Sequence, residues 1–193
     1  PDNAQALLAA MAAAPSFIMV GTMEPRKGHA QTLAAFEELW LQGKNYNLFI
    51  IGKQGWHVDD LCERLRHHPQ LNKKLFWLQN ISDEFLTKLY SQSSALIFAS
   101  LGEGFGLPLI EAAQKKLPVI IRDIPVFKEI AQEHAWYFCG EAPSDIAKAV
   151  EDWLALYEQN AHPRSENINW LTWKQSAEFL LKNLPIIAPA AKQ

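Results

Sequence analysis

Short, continuously apolar runs alternate along this chain with stretches whose apolar residues recur at helical spacing. Phe17-Ile18-Met19-Val20 stops at Gly21, and residues 30–42 then carry Leu33, Phe36 and Trp40 on one helical face. A strand followed by a helix is predicted. The unit recurs: Leu48–Ile51 stops at Gly52, and 58–68 reads as an amphipathic helix closed before Pro69. Leu75–Leu78 forms a third strand, and Ser82-Asp83-Glu84-Phe85 opens a helix to about residue 91 with Ser82 as N-cap in a capping-box-like start. Ala95–Ala99 is a fourth strand, followed by a glycine-rich loop and a helix over 108–116. Two more short strands, 118–121 and 135–138, flank a helix at 126–132, and helices over 144–159 and 171–183 finish the pattern.

Strands that are apolar on every residue are buried on both faces, which requires a parallel sheet covered by helices on either side. The pattern therefore predicts an α/β fold, a Rossmann-like, doubly wound parallel sheet. One domain is expected over residues 1–184, with Pro185 to Gln193 as a tail or linker. The first 14 residues, rich in alanine, read as a short helix leading into the first strand.

Composition narrows the function. Hydrophobic residues make up 49% of the 193, enough for a sizeable core, and 18 Lys plus Arg against 21 Asp plus Glu leave a net charge of -3. Such a balance offers no global basic field for nucleic acid or anionic lipid, so any anion site is local. Two cysteines far apart, Cys62 and Cys139, exclude a disulfide framework and a cysteine-rich zinc site and fit a reducing, cytoplasmic setting. The apolar run 6–20 follows Asp2 and no cation, so it lacks the basic start of a signal peptide, and Pro15 interrupts it short of a membrane span. A chain that opens Pro1-Asp2-Asn3 is expected to be a piece of something longer.

In an open parallel sheet, ligands bind outside the carboxyl ends of the strands. After the first strand stands Gly21-Thr22-Met23-Glu24-Pro25-Arg26-Lys27-Gly28, where two adjacent cations precede a helix N-terminus. Alone, that is also how a solvated turn looks; beside helix amides it makes a compact anion site. After the second strand, Gly52-Lys53-Gln54-Gly55 would let a ligand approach the backbone closely. The fourth is followed by Ser100-Leu101-Gly102-Glu103-Gly104-Phe105-Gly106-Leu107-Pro108, then Glu111 in the helix. Pro108 suits a first helical turn, which leaves the amides of Gly104 to Leu107 to face an anion. Two carboxylates beside such amides suit a ligand with sugar hydroxyls flanking phosphate.

With these residues in place, the chain resembles the C-terminal, donor-binding half of GT-B glycosyltransferases of family 4, the retaining enzymes that use nucleotide sugars. The resemblance spans about 16–184 and is carried by Val20 to Gly28 and by the two glutamates eight positions apart in Glu103-Gly-Phe-Gly-Leu-Pro-Leu-Ile-Glu111. It is similar above all to bacterial O-antigen and lipopolysaccharide mannosyltransferases, which implies GDP-mannose as donor. By this resemblance Arg26 and Lys27 hold the diphosphate, Glu103 contacts the transferred sugar and Glu111 binds the ribose. Gly21, Thr22, Gly52, Gly104, Phe105, Gly106 and Leu107 line the donor, and the segment with Ile81 meets the base. Many relatives place an arginine where this chain has Thr22, and Arg26 is taken as its replacement. The resemblance further implies an N-terminal acceptor domain beyond this piece and a glycan or lipid-linked glycan acceptor. It also implies a cytoplasmic location, with any attachment to the inner face of the membrane left to the missing part.

No cofactor or metal is expected. No Asp-x-Asp motif occurs, only Asp59-Asp60 on a helix, and Arg26 with Lys27 supplies the charge instead. His67 and His68 fall on an exposed helix end, and His57, His134 and His162 lack ligand-spaced partners. Trp153, Trp170 and Trp173 are read as packing residues, with 170–173 also suited to contact another domain. Three alternatives stay open: a transferase using another nucleotide sugar, a nucleotide-sugar epimerase of related fold, and a non-catalytic Rossmann-like interaction or signalling module. The last would need acidic residues after the first strands, where Gly21-Thr22 and Gly52-Lys53 stand.

Overall fold

A computed structural model describes residues 1–184; the proline-containing tail expected at 185–193 lies outside the described residues. Six strands, β1 (Ser16–Val20), β2 (Asn47–Ile51), β3 (Leu75–Leu78), β4 (Ala95–Phe98), β5 (Val119–Arg122) and β6 (Trp136–Phe138), form one sheet in the order β3-β2-β1-β4-β5-β6. Every pairing is parallel, as with Ser16 opposite Asn47 and Phe17 opposite Ala95. Chain order reverses between β1 and β4, which makes the crevice beyond their carboxyl ends the switch point of the sheet.

Alternate residues of each strand enter opposite cores, which is why the runs are apolar throughout. Phe17 and Met19 with Leu48 and Ile50 pack beneath α2 (His29–Leu41), α3 (Asp59–Arg66) and α7 (Pro143–Glu158). At the centre of this core Trp153 is fully buried, its ring 5.9 Å from that of Phe17. Ile18, Phe49 and Leu96 face the other core, closed by α1 (Ala4–Ala13), α4 (Asp83–Gln92), α5 (Leu107–Gln114) and α6 (Pro125–Ala131). A final helix, α8 (Trp173–Asn183), buries none of its residues against the domain. Among the described residues no helix is long and apolar enough to cross a membrane.

The predicted elements all occur, with ends shifted by one or two residues. Three local readings change. Ser82 caps α4 by accepting from the Phe85 amide at 3.2 Å, but the third helical position is Phe85, which has no side-chain acceptor to return the bond. The reciprocal capping box forms instead at Thr172 and Gln175, and α8 accordingly starts at residue 173. His68 is not exposed: its side chain packs beside the Trp40 ring, with Nε2 2.9 Å from Glu37. Trp170 and Trp173, read as packing residues, are exposed.

Candidate functional site

The switch point gathers the two motifs. A 3₁₀ turn over Pro25–Lys27 follows β1 and ends at Gly28, whose φ of 74° carries the chain into α2. Gly28 is required for space as well as conformation, because a Cβ there would lie 2.5 Å from the Ala99 carbonyl oxygen. The loop after β1 thus rests on the end of β4. A backbone bond from the Leu101 amide to the Arg26 carbonyl (2.7 Å) fixes the contact. Residues 75 positions apart in sequence are brought within reach by this packing.

Glu103 stands between the two cations. Lys27 Nζ donates to its Oε1 at 2.5 Å, Arg26 Nη1 lies 3.2 Å from its Oε2, and the Ser100 hydroxyl donates to Oε1 at 2.7 Å. Burial alone would raise the Glu103 carboxyl. The bonds from Lys27 and Ser100, the Lys27 charge and the Arg26 bond outweigh burial and hold it below the usual carboxylate range. Arg26 is also tied to Glu24 at 3.0 Å and to the Gly102 carbonyl at 2.7 Å. The charge of the cluster differs from the sequence reading as a result. Arg26 and Lys27 are matched by Glu24 and Glu103, so the uncompensated positive potential at the crevice comes from backbone amides.

Those amides are present. Among the described residues Gly104, Phe105, Gly106 and Leu107 donate to no backbone carbonyl, and α5 starts at Leu107 with Pro108 in its first turn, as expected. Gly106 is the N-cap and is buried, whereas Gly104, Phe105 and Leu107 are exposed. One turn into α5, Glu111 Oε2 accepts from the Tyr90 hydroxyl at 2.7 Å. Burial, then the Glu111 charge and this bond, push the Tyr90 hydroxyl far above its ordinary range, so it stays a proton donor that orients the carboxylate.

The remaining predicted residues divide. Gly21 and Thr22 line the turn after β1, half-buried, and Ile81 is half-buried after β3 against the core of α4 and α5. Gly52 turns to its own chain rather than to open space, because a Cβ there would meet the Gly21 carbonyl at 1.9 Å. The small residues after β2 therefore serve to seat the loop after β1. Sequence reasoning missed Ser100, Tyr90 and Glu24, which hold the named groups in place. Ser100 could have been found as the second residue after β4; nothing local marks Tyr90.

A cavity of about 600 Å³ opens beside the crevice rather than in it, bounded by Glu24, His57, Asp60 and Arg64. Of the residues in the cation cluster it reaches only Glu24.

A parallel sheet whose switch point joins cations, carboxylates and unpaired helix amides defines an α/β domain equipped for an anionic, hydroxyl-bearing ligand. The chain belongs to the glycosyl transferases group 1 family, which matches residues 9–170. It is 92% identical over 193 residues to the serotype-specific mannosyltransferase WbdA of Escherichia coli, covering 100% of this chain and 24% of that protein. The chain thus spans about a quarter of the length of that relative. The O-antigen chain mannosyltransferase RfbU of Salmonella typhimurium is 34% identical over 137 residues, covering 70% of this chain and 37% of its own.

Solved structures agree on the fold. The C-terminal domain of a group 1 glycosyl transferase (LpcC) from Francisella tularensis superposes with a TM-score of 0.66 at 16% identity, covering 93% of this chain and 92% of that one. HepE of Anabaena, solved with UDP and glucose, gives 0.73 at 14% identity over 95% of this chain and 53% of its own. The expected Rossmann-like fold and the family are both borne out.

Proposed function

We propose that this chain is the donor-binding half of a retaining mannosyltransferase and holds GDP-mannose for transfer of mannose to a growing surface polysaccharide. The observation that carries the reading is the meeting of Arg26, Lys27 and Glu103 with four unpaired amides at the switch point, one helical turn from Glu111. The mannosyltransferase names of the relatives supply the sugar. Arg26 and Lys27 take the diphosphate, displacing Glu103 as their partner, and the freed carboxylate turns to hydroxyls of the mannose. Glu111, oriented by Tyr90, accepts from the ribose hydroxyls. Gly21 and Thr22 border the phosphates, and the backbone around Ile81 meets the base.

Transfer breaks the bond between the anomeric carbon and the phosphate oxygen. The diphosphate leaves with the electron pair, while an acceptor hydroxyl forms the new bond and passes its proton to the departing diphosphate oxygen. Charge grows on the diphosphate as the bond breaks, so cations and fixed amides aimed at it stabilise the transition state more than the ground state. In this reading they supply the compensating charge without a metal. The acceptor site and the rest of the catalytic groups lie in an N-terminal domain outside this chain, and the acceptor is a glycan or lipid-linked glycan. The reading places the whole protein in the cytoplasm, working at the inner face of the membrane.

Calorimetric titration with GDP, UDP and their mannose and glucose conjugates tests the assignment. GDP-mannose binds best, and Lys27→Ala and Glu111→Ala each weaken it on the order of tenfold, the loss of one hydrogen bond to a charged group. Failure of every nucleotide to bind at millimolar concentration, or indifference to both substitutions, overturns it. A preference for UDP conjugates would leave the site and replace the donor.

A further inference from the structure

The opposite edge of the sheet, where β4 and β5 begin, carries a second cavity of about 460 Å³. It lies where the C-terminal ends of α4, α5 and α7 converge, at the opposite ends of the strands from the donor crevice. Lys115, Lys116 and Arg164 line it, no carboxylate does, and none of the three enters an ion pair among the described residues. Cations at helix C-termini are commonly there to balance the helix dipoles. The magnitudes decide against that as the whole account: three helix ends sum to about -1.5 charges, against three full positive charges. A net positive, concave site remains.

Its walls are fixed in advance. The Ser165 hydroxyl donates to the Leu117 carbonyl at 2.6 Å, pinning the segment that carries Arg164 to the end of α5, and Arg164 Nη2 donates to Asn160 Oδ1 at 2.5 Å. His162 also lines the cavity and is 94% buried, its ring 5.8 Å from Trp153. Its Nδ1 is sealed in without a hydrogen-bond partner, whereas Nε2 is not sealed. Burial and the Arg164 charge depress the His162 pKa, which keeps the ring neutral. We assign its proton to Nε2, the nitrogen that is not sealed, where it can be donated. Tyr157, stacked on Trp153 at 4.9 Å, presents a partly exposed aromatic face to the same space. Ser91 and Ser93 donate their own protons to the Thr87 and Leu89 carbonyls, which leaves their lone pairs as acceptors at the rim.

We infer that this cavity binds a sugar phosphate. The phosphate sits among Lys115, Lys116 and Arg164 with His162 Nε2 as a further donor, the sugar ring lies against Tyr157, and its hydroxyls donate to the serine oxygens. Cationic groups and a fork-shaped guanidinium suit a dianionic phosphate, an aromatic face suits the C–H side of a sugar, and the volume admits a hexose phosphate. Tyr90 also lines the cavity, and its hydroxyl bond to Glu111 links this site to the donor crevice.

The test is calorimetry of the full chain with mannose 6-phosphate, inorganic phosphate and mannose, together with sedimentation on phosphatidylglycerol vesicles. The variants are Lys116→Gly with Arg164→Gln, the exposed single change Lys115→Gln, and Lys27→Ala for the crevice. Glycine suits position 116, whose φ is 57°, so the backbone keeps its conformation there. Mannose 6-phosphate binds wild type and Lys27→Ala equally. It binds the double variant about a hundredfold and Lys115→Gln about tenfold more weakly, at unchanged urea midpoint. Binding that disappears with Lys27→Ala and survives the double variant belongs to the crevice and overturns the proposal. So does the absence of binding at millimolar concentration. Inorganic phosphate binding as tightly as the sugar phosphate overturns recognition of the sugar. Vesicle binding lost in the double variant, with no binding of the sugar phosphate, makes the patch a membrane contact and overturns it as well.

Discussion

His29 lies directly behind the cation pair, at the first position of α2, and its ring is buried with no partner for either nitrogen. Burial, aided by the neighbouring Lys27 charge, pushes its pKa down from 6.5 to about 4. The unfolded chain binds a proton at this ring below 6.5, while the folded one resists protonation down to about 4. Unfolding therefore takes up a proton between those values, and stability that is full above pH 6.5 is lost as pH falls toward 4, by about 3 kcal/mol in all. Urea unfolding measured across this range should slope upward with pH in wild type, and the slope should flatten in His29→Leu.

Gly28, one residue earlier, gives a second expectation at this scale. Alanine there would have to sit at φ 74° with its Cβ 2.5 Å from the Ala99 carbonyl oxygen. A loss of about 2 kcal/mol is expected from the strained backbone alone, and urea titration of Gly28→Ala measures it. A substitution that costs nothing would mean that the loop after β1 is not seated on β4 as described.

At the scale of elements, Arg122 does what no neighbouring pair of residues can. It ends β5, is buried, and lies with its guanidinium 5.0 Å from the centre of the Phe138 ring. Nε donates to the Ala99 carbonyl at 3.0 Å, Nη1 to Gly140, and Nη2 to Gln31 Oε1 at 2.5 Å. One side chain thus ties the end of β4, the exit of β6 and helix α2 together behind the switch-point crevice. Arg122→Met keeps much of the packing but strands buried carbonyls, so it should lower stability by about 3 kcal/mol and weaken nucleotide binding through the shifted end of β4. Denaturation and donor titration of the same variant separate the two effects. If nucleotide binding is unchanged while stability falls, Arg122 holds the sheet but does not position the crevice.

The elements themselves were legible because their signals are local. Continuous apolar runs marked the strands, and Pro108 after three glycines marked the start of α5. The pairing of Arg26 and Lys27 with Glu103 was not legible, because 76 residues separate them and β1 and β4 become neighbours only when the sheet forms. Tyr90 reaches Glu111 from a different helix for the same reason. The approach of the Gly21 carbonyl to Gly52 was not legible either, because a glycine shows that something approaches closely, not what does.

Over the whole molecule, charge is distributed differently from what the counts suggested. The near balance of 18 basic and 21 acidic residues conceals a crevice whose cations are internally paired and a cavity whose cations enter no ion pair among the described residues. At the C-terminus, α8 leaves Trp173, Phe179 and Leu181 exposed and buries nothing against the domain. The two cores should therefore stand without it. A chain ending at Asn169 is expected to retain its urea midpoint to within about 1 kcal/mol of stability, since Ile168 is the last buried apolar residue among the described residues. Loss of cooperative unfolding on that truncation would show that the C-terminal segment supports the fold.

The sequence by itself determined the alternation of strands and helices, the burial of the sheet on both faces and the family resemblance, and it singled out Arg26, Lys27, Glu103 and Glu111 as candidates. Each of these is written in adjacent residues or in a short period, where sterics and hydrophobic patterning act locally. Only the tertiary structure decided which carboxylate neutralises which cation, what fills the space a glycine leaves, and that Lys115, Lys116 and Arg164, in no ion pair among the described residues, share one cavity. These depend on which segments the parallel sheet makes neighbours, and that order, β3-β2-β1-β4-β5-β6, is not the order of the chain.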